Sequence, residues 1–193
     1  MKSIITAYRK ANPAIVAFWR ALEKAFKDAI LTKREVKVNS YISIRYLGDW
    51  VAIKLPSGRD LMYYKAHLSN GSIRYLGDTI KGFQRIDTYG GKICENVVQA
   101  VSADILNNAI RIVDKKATNF DITFHVHDEL VGEVDENKAQ DTLIMLSKAM
   151  CELPDWADDL LPLKAEGEIL STPFSSCIKI AWLLFLSNTK SAN

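Results

Sequence analysis

The stretch Phe124-His125-Val126-His127-Asp128-Glu129-Leu130-Val131 decides how this chain is read. Ile122, Phe124 and Val126 alternate with Thr123, His125 and His127, the period of two that a half-buried strand requires. Leu130 and Val131 open a second apolar run, so residues 121–134 read as a β-hairpin with two adjacent acids, Asp128 and Glu129, at its turn. Paired carboxylates pushed out of an apolar frame suit a hard divalent cation. Mg²⁺ prefers one or two protein carboxylates plus phosphate oxygens over a full protein cage. Two such ions, about 3.5–4 Å apart, can clamp the attacking and leaving oxygens of a phosphoryl transfer. Asp at a hairpin tip is also common for turn chemistry alone. His125, His127 and Asp128 could contribute to a zinc site, but no Cys or third His stands at zinc spacing.

Downstream, Asp135 to Met150 reads as an amphipathic helix with Ala139, Leu143, Leu146 and Met150 inward, and Glu166 to Leu170 as a returning strand. Upstream, residues 92–114 form the clearest helix. Ile93, Val97, Val101, Ile105 and Ile112 make its apolar stripe. Lys92, Glu95, Asn96, Gln99 and Ser102 share another face, because residues three and four apart are helix neighbours. Gln99 can donate and accept at once, so it suits a base edge in a minor groove. Residues 35–89 switch to short strands with turns expected at Gly48-Asp49, Pro56-Ser57-Gly58, Ser69-Asn70-Gly71 and Gly77-Asp78. Within them Ser43-Ile44-Arg45-Tyr46-Leu47-Gly48-Asp49 recurs unchanged as Ser72 to Asp78, which predicts two strand-plus-turn units. Residues 3–30 read as helix broken at Asn12-Pro13, with Asn12 as cap and Pro13 in the first turn. Ile15, Phe18, Trp19, Leu22 and Phe26 supply its buried stripe.

An apolar fraction of 48% over 193 residues fits a globular protein with a normal core. The net charge of +2 hides an asymmetry: residues 1–92 carry 17 Lys/Arg against 7 Asp/Glu, and residues 93–193 carry 8 against 16. A basic half suits phosphate contacts and an acidic half suits metals. Cys94, Cys151 and Cys177 show no Cys-x-x-Cys spacing and imply reduced thiols and a cytoplasmic setting. The apolar run from Cys177 to Leu186 is too short for a membrane helix, which needs about 20 residues.

The triplet His127-Asp128-Glu129 at a hairpin tip resembles the third palm motif of family A DNA polymerases. Thr88-Tyr89-Gly90-Gly91-Lys92, with Glu95-Asn96 and Gln99-Ala100, looks like the phage and prophage branch of that family. So does Tyr8-Arg9-x-x-Asn12-Pro13-x-Ile15-Val16-x-x-Trp19. The resemblance covers residues 3 to 169 and implies an α+β fold: an antiparallel palm sheet with packed helices and a helical N-terminal segment from the fingers base. Its divisions would be 1–92 for the fingers base and a basic strand-rich segment, 93–170 for the palm, and 171–193 for an atypical tail.

By the same resemblance, Asp128 and Glu129 would be the catalytic acids, Asp128 holding both Mg²⁺ ions and Glu129 staying near the site as a weaker or outer-shell partner. His127, Gln99, Asn96 and Lys92 would touch DNA at the primer end. The implied partners are a DNA primer–template and dNTP. Two elements of the family pattern do not occur in these residues: an earlier strand of the form Asp-Tyr-Ser-x-Ile-Glu, and a fingers helix of the form Arg-x-x-x-Lys followed by Phe and Tyr-Gly. The expectation is therefore a C-terminal polymerase fragment, inactive alone and completed by an N-terminal polymerase chain. The alternative is an inactive prophage remnant that binds only DNA or a partner chain.

Overall fold

Asn12-Pro13 interrupts the first helical pattern because proline supplies no N–H and presets the first-turn φ. The computed structural model, which describes residues 2–157, 161–171 and 176–182, accordingly has α1 at Lys2–Ala11 and α2 at Pro13–Thr32. Asn12 does not cap α2 with its side chain, as expected from sequence. Its amide Nδ2 and its backbone N–H both donate to the Tyr8 carbonyl, 2.9 Å each, so it closes α1 instead. α2 ends at Lys33, whose left-handed backbone (φ +58°) is accompanied by its ammonium lying 3.6 Å over the Tyr46 ring.

Six strands follow as an antiparallel meander: β1 (Val36–Lys37), β2 (Ser43–Leu47), β3 (Trp50–Lys54), β4 (Asp60–Ser69), β5 (Ser72–Thr79) and β6 (Gly82–Thr88), paired in sequence order. Alternation sends Ile44, Val51, Ile53, Tyr63 and Ile73 to one face, where Leu22, Ala25, Phe26, Ala29 and Ile30 of α2 bury them. Phe26 and Tyr63 meet edge to face at 5.1 Å, as do Tyr63 and Tyr75.

The repeated heptapeptide adopts two structures. In the first copy Gly48 (φ +72°) turns the chain between β2 and β3; the second copy lies wholly inside β5, and the turn falls at Ile80-Lys81 instead of Gly77-Asp78. The difference is tertiary. Tyr75 and Leu76 are already paired to Ile86 and Arg85, which holds Gly77 extended opposite Gln84.

α3 (Gly90–Lys116) is longer than its apolar period predicts. Ile93, Val97 and Ile105 are buried as expected; Leu106, Ala109 and Val113 join them, while Val101 and Ile112 stay half-exposed. The chain divides inside this helix, into a unit of residues Met1–Val101 and one of Ser102–Asn193.

The second unit contains β7 (Asp121–Val126), β8 (Glu129–Val134), a 3₁₀ turn (Glu136–Lys138), α4 (Ala139–Met150), β9 (Ala165–Ser171) and β10 (Ser176–Trp182). Its sheet runs β7-β8-β10-β9, every pair antiparallel. β8 and β9 are thus parallel to each other, joined across one face by α4, with β10 between them. α4 buries Ala139, Leu146 and Met150 as read from sequence, together with Thr142 and Ala149; Leu143 is half-buried. Thr142 is satisfied by Asn119 Nδ2, which donates to its hydroxyl at 2.9 Å. Ile178 and Ile180 of β10 are fully buried. The first apolar residues of the tail are thus a central strand of this sheet, and residues 183–186 lie outside those described. The α+β class stands. Among the described residues no helix is long and apolar enough to cross a membrane, and the three cysteines are free.

Two predictions follow from the junction of α2 and α3. A Cβ on Gly90 would lie 2.3 Å from the Trp19 carbonyl oxygen, whereas one on Gly91 would meet only the edge of the Tyr89 ring. Gly90→Ala should cost about 1–3 kcal/mol in denaturant unfolding and Gly91→Ala clearly less, because backbone cannot yield as a ring can. The Gly90 N–H also donates to Glu23 Oε2 at 3.0 Å, and Lys27 Nζ to Glu23 Oε1 at 2.7 Å. The Lys27 bond first, then the Gly90 bond, hold the Glu23 carboxyl below its ordinary value. A depressed carboxyl stabilises above its unfolded pKa, and the contribution is lost as pH falls through the folded one. Glu23→Gln should therefore lower stability at neutral pH and flatten its fall between mildly and strongly acid pH, followed by chemical unfolding across that range.

Candidate functional site

The hairpin forms where the alternation places it, but its turn is one residue earlier than expected. Val126 pairs with Glu129, so His127 and Asp128 make the two-residue loop and Glu129 is already the first residue of β8. His127 is a turn residue rather than a strand residue, with φ +54°. Two-residue hairpins favour turns with positive φ at this position, usually occupied by Gly, Asn or Asp. Histidine enters that region more readily than most residues, yet a Cβ there costs roughly 1–2 kcal/mol. That backbone strain fixes where the following Asp128 emerges.

β7 is less buried than its apolar alternation implies: Phe124 is 52% and Val126 46% exposed, and only Ile122 is half-buried. β7 is the edge strand of its sheet, and a bulge between Ile122 and Phe124 breaks the register.

Asp128 and Glu129 are both half-buried and have different surroundings. Glu129 accepts from Lys179 Nζ at 3.0 Å. That bond, reinforced by the Glu129 charge and then by Glu168, raises the Lys179 pKa. The register puts Glu129, Lys179, Glu166 and Glu168 on one face of the sheet. The opposite face carries Leu130, Ile178 and Ile180, and α4 packs against β9 and β10. Lys179 was missed in the sequence reading because the tail was set apart as atypical. The signal was present: Ile178 and Ile180 alternate with Cys177, Lys179 and Ala181 at strand period.

Lys92, Asn96 and Gln99 lie on the part of α3 that belongs to the first unit. Lys92 and Gln99 are exposed. Asn96 is half-buried, and its Nδ2 donates to the Tyr63 hydroxyl at 3.0 Å. Burial pushes the Tyr63 phenol pKa up, partly offset by that bond, so the phenol stays neutral and the pair ties α3 to β4. The hairpin residues belong to the second unit and the helix residues to the first. Among the described residues no three His, Cys, Asp or Glu side chains form a metal-holding group, so zinc coordination by His125, His127 and Asp128 gains no support.

Comparison with known proteins relates the chain to DNA polymerases. It is 34% identical over 174 residues to a DNA polymerase of Bacillus phage SP02, an overlap of 86% of this chain and 26% of that protein. The chain thus spans about a quarter of the length of the relative it matches. A match covering 86% of the chain leaves too few residues outside it to omit the hairpin at 121–134. No family model matches the chain, and no solved structure matches it.

The left-handed residue gives a direct test of the turn. His127→Gly should be neutral or stabilising by up to about 1 kcal/mol, since glycine takes positive φ without a Cβ clash. His127→Val should destabilise by more than 1 kcal/mol, roughly, because a branched Cβ is a true outlier there. Thermal unfolding of both variants checks the sign and the order.

Proposed function

We propose that this chain is the C-terminal part of a family A DNA polymerase of phage type, whose intact form carries out template-directed nucleotidyl transfer by a two-metal mechanism. The observation supporting this most is the hairpin itself: a strained two-residue turn presents Asp128 beside Glu129, in a chain related to a phage DNA polymerase. In this reading residues 1–92 combine the fingers base with a basic strand-rich segment, and residues 93–170 form the palm. Lys92, Asn96, Gln99 and His127 face the primer–template, with dNTP as the second substrate.

The donor chemistry fits Mg²⁺ in kind, because Asp128 offers carboxylate oxygens to a hard cation. It fits only in part by number, with Glu129 engaged by Lys179 and no third ligand beside them among the described residues. Asp128 is then the one carboxylate among the described residues that would hold the ion. When bound, the ion would supply charge neutralisation at phosphate oxygens. Glu129 pairs with Lys179 and is itself the first residue of β8 behind the turn.

A second reading, an inactive prophage remnant that binds only DNA or a partner chain, is favoured by the same Lys179–Glu129 pair, which occupies an acid the chemistry would want free.

Two measurements test these readings, and the second separates them. The chain alone should incorporate no nucleotide on a primer–template, since removal of a single oriented charge stabiliser costs on the order of 10²–10³ in rate and more than one is wanting here. Mn²⁺ at millimolar levels, with primer–template and dNTP present, should broaden NMR resonances of residues 126–130. Asp128→Asn should abolish that broadening while leaving the fold intact. Broadening centred elsewhere, or unchanged in Asp128→Asn, would remove Asp128 as the metal carboxylate and favour the remnant.

A further inference from the structure

α2 covers one face of the six-stranded sheet; the other face carries large apolar and aromatic side chains in the open. Strand register aligns Leu47, Trp50, Tyr64, Leu76 and Arg85 as one row across β2 to β6. Phe83 flanks its end, two residues from Arg85 on the same face. The Trp50 and Tyr64 rings are 4.7 Å apart and the Tyr64 and Phe83 rings 6.2 Å apart. Leu47 is 47%, Trp50 39% and Phe83 63% exposed.

The charge around this row has one sign in excess. Asp60 and Asp87 are neutralised by Arg45 and Arg74 at 2.6 Å each. Against Asp78 on the face and Asp49 at its edge stand Lys54 and Arg85 on it and Lys65 and Lys81 at its edge, none of these cations in an ion pair among the described residues. The unit as a whole carries more Lys and Arg than Asp and Glu.

We propose that this face binds single-stranded nucleic acid, with bases stacked on Trp50, Tyr64 and Phe83 and the phosphates near Lys54, Lys81 and Arg85. Exposed rings on a rigid sheet take any base by its π-face, and cations beside them follow the backbone. A duplex offers no free base faces, so the site selects unpaired strand. This goes beyond the polymerase reading: it uses the first unit only and involves neither Asp128 nor Gln99.

The test is fluorescence anisotropy of a fluorescein-labelled oligo-dT with the full chain, competed by unlabelled duplex of equal length. Phe83→Ala and Trp50→Ala should each weaken binding about tenfold without changing its salt slope, while Trp50→Phe and Phe83→Tyr hold it within a few-fold. Arg85→Ala should weaken binding and reduce the salt slope. Phe83 is the more exposed of the two rings, so its variant decides if Trp50→Ala fails to fold. Unchanged affinity in Phe83→Ala, equal competition by duplex, or self-association of the chain that Phe83→Ala abolishes would overturn the proposal. Mn²⁺ broadening at the hairpin reports on Asp128 separately, so either idea can fail while the other survives.

Discussion

The first unit depends on how closely the start of α3 approaches α2. Any side chain at residue 90 would run into the Trp19 carbonyl. With glycine there, Ile93, Cys94 and Val97 reach the core that α2 builds on the meander, and the first N–H of α3 finds an acceptor in Glu23. Helix N-termini leave orphan donors that must be met by something. Here a carboxylate from a neighbouring helix meets one of them, and Lys27 holds that carboxylate in place. The sequence block Thr88-Tyr89-Gly90-Gly91 thus has a structural task at its first glycine, whatever chemistry surrounds it.

From that contact follows the sidedness of the sheet. α2 and the first turns of α3 can cover only one face of six strands, and the apolar residues of that face are matched to them. A sheet with one solvated face ordinarily alternates apolar inside and polar outside. Trp50, Met62 and Phe83 break that rule on the open face of this one. Large apolar side chains grouped in the open are the departures that carry information about binding.

Much of this architecture was legible from periodicity. The helix break at Asn12-Pro13, the strand-rich middle, α3, the hairpin and α4 all announce themselves through spacing of apolar residues. What was not legible depended on partners far away in sequence. Gly48 and Gly77 sit in identical heptapeptides, yet one turns and the other stays extended because β6 claims it. Phe124 and Val126 have the pattern of buried residues, but their strand lies at a sheet edge. Asn96 looked like a free polar side chain until Tyr63 was brought beneath it. At the site, the turn position was off by one residue, which moves Glu129 from the tip into the ladder. Its cation came from a tail that had been read apart from the rest.

The position of β10 has a consequence for how the molecule is made. Synthesis proceeds from the N-terminus, and domains begin to fold as they emerge. β8 and β9 run parallel and do not pair with each other; each waits for β10, which is translated after both. Until then the nascent second unit has only the β7–β8 hairpin and α4, with the hydrogen-bonding edge of β8 bare along Glu129–Val134. Bare edges invite pairing with other chains. While β10 is still held inside the ribosome the emerged chain displays a sticky hairpin, and once β10 has emerged that edge of β8 is paired, with β7 and β9 left as the edges of the sheet.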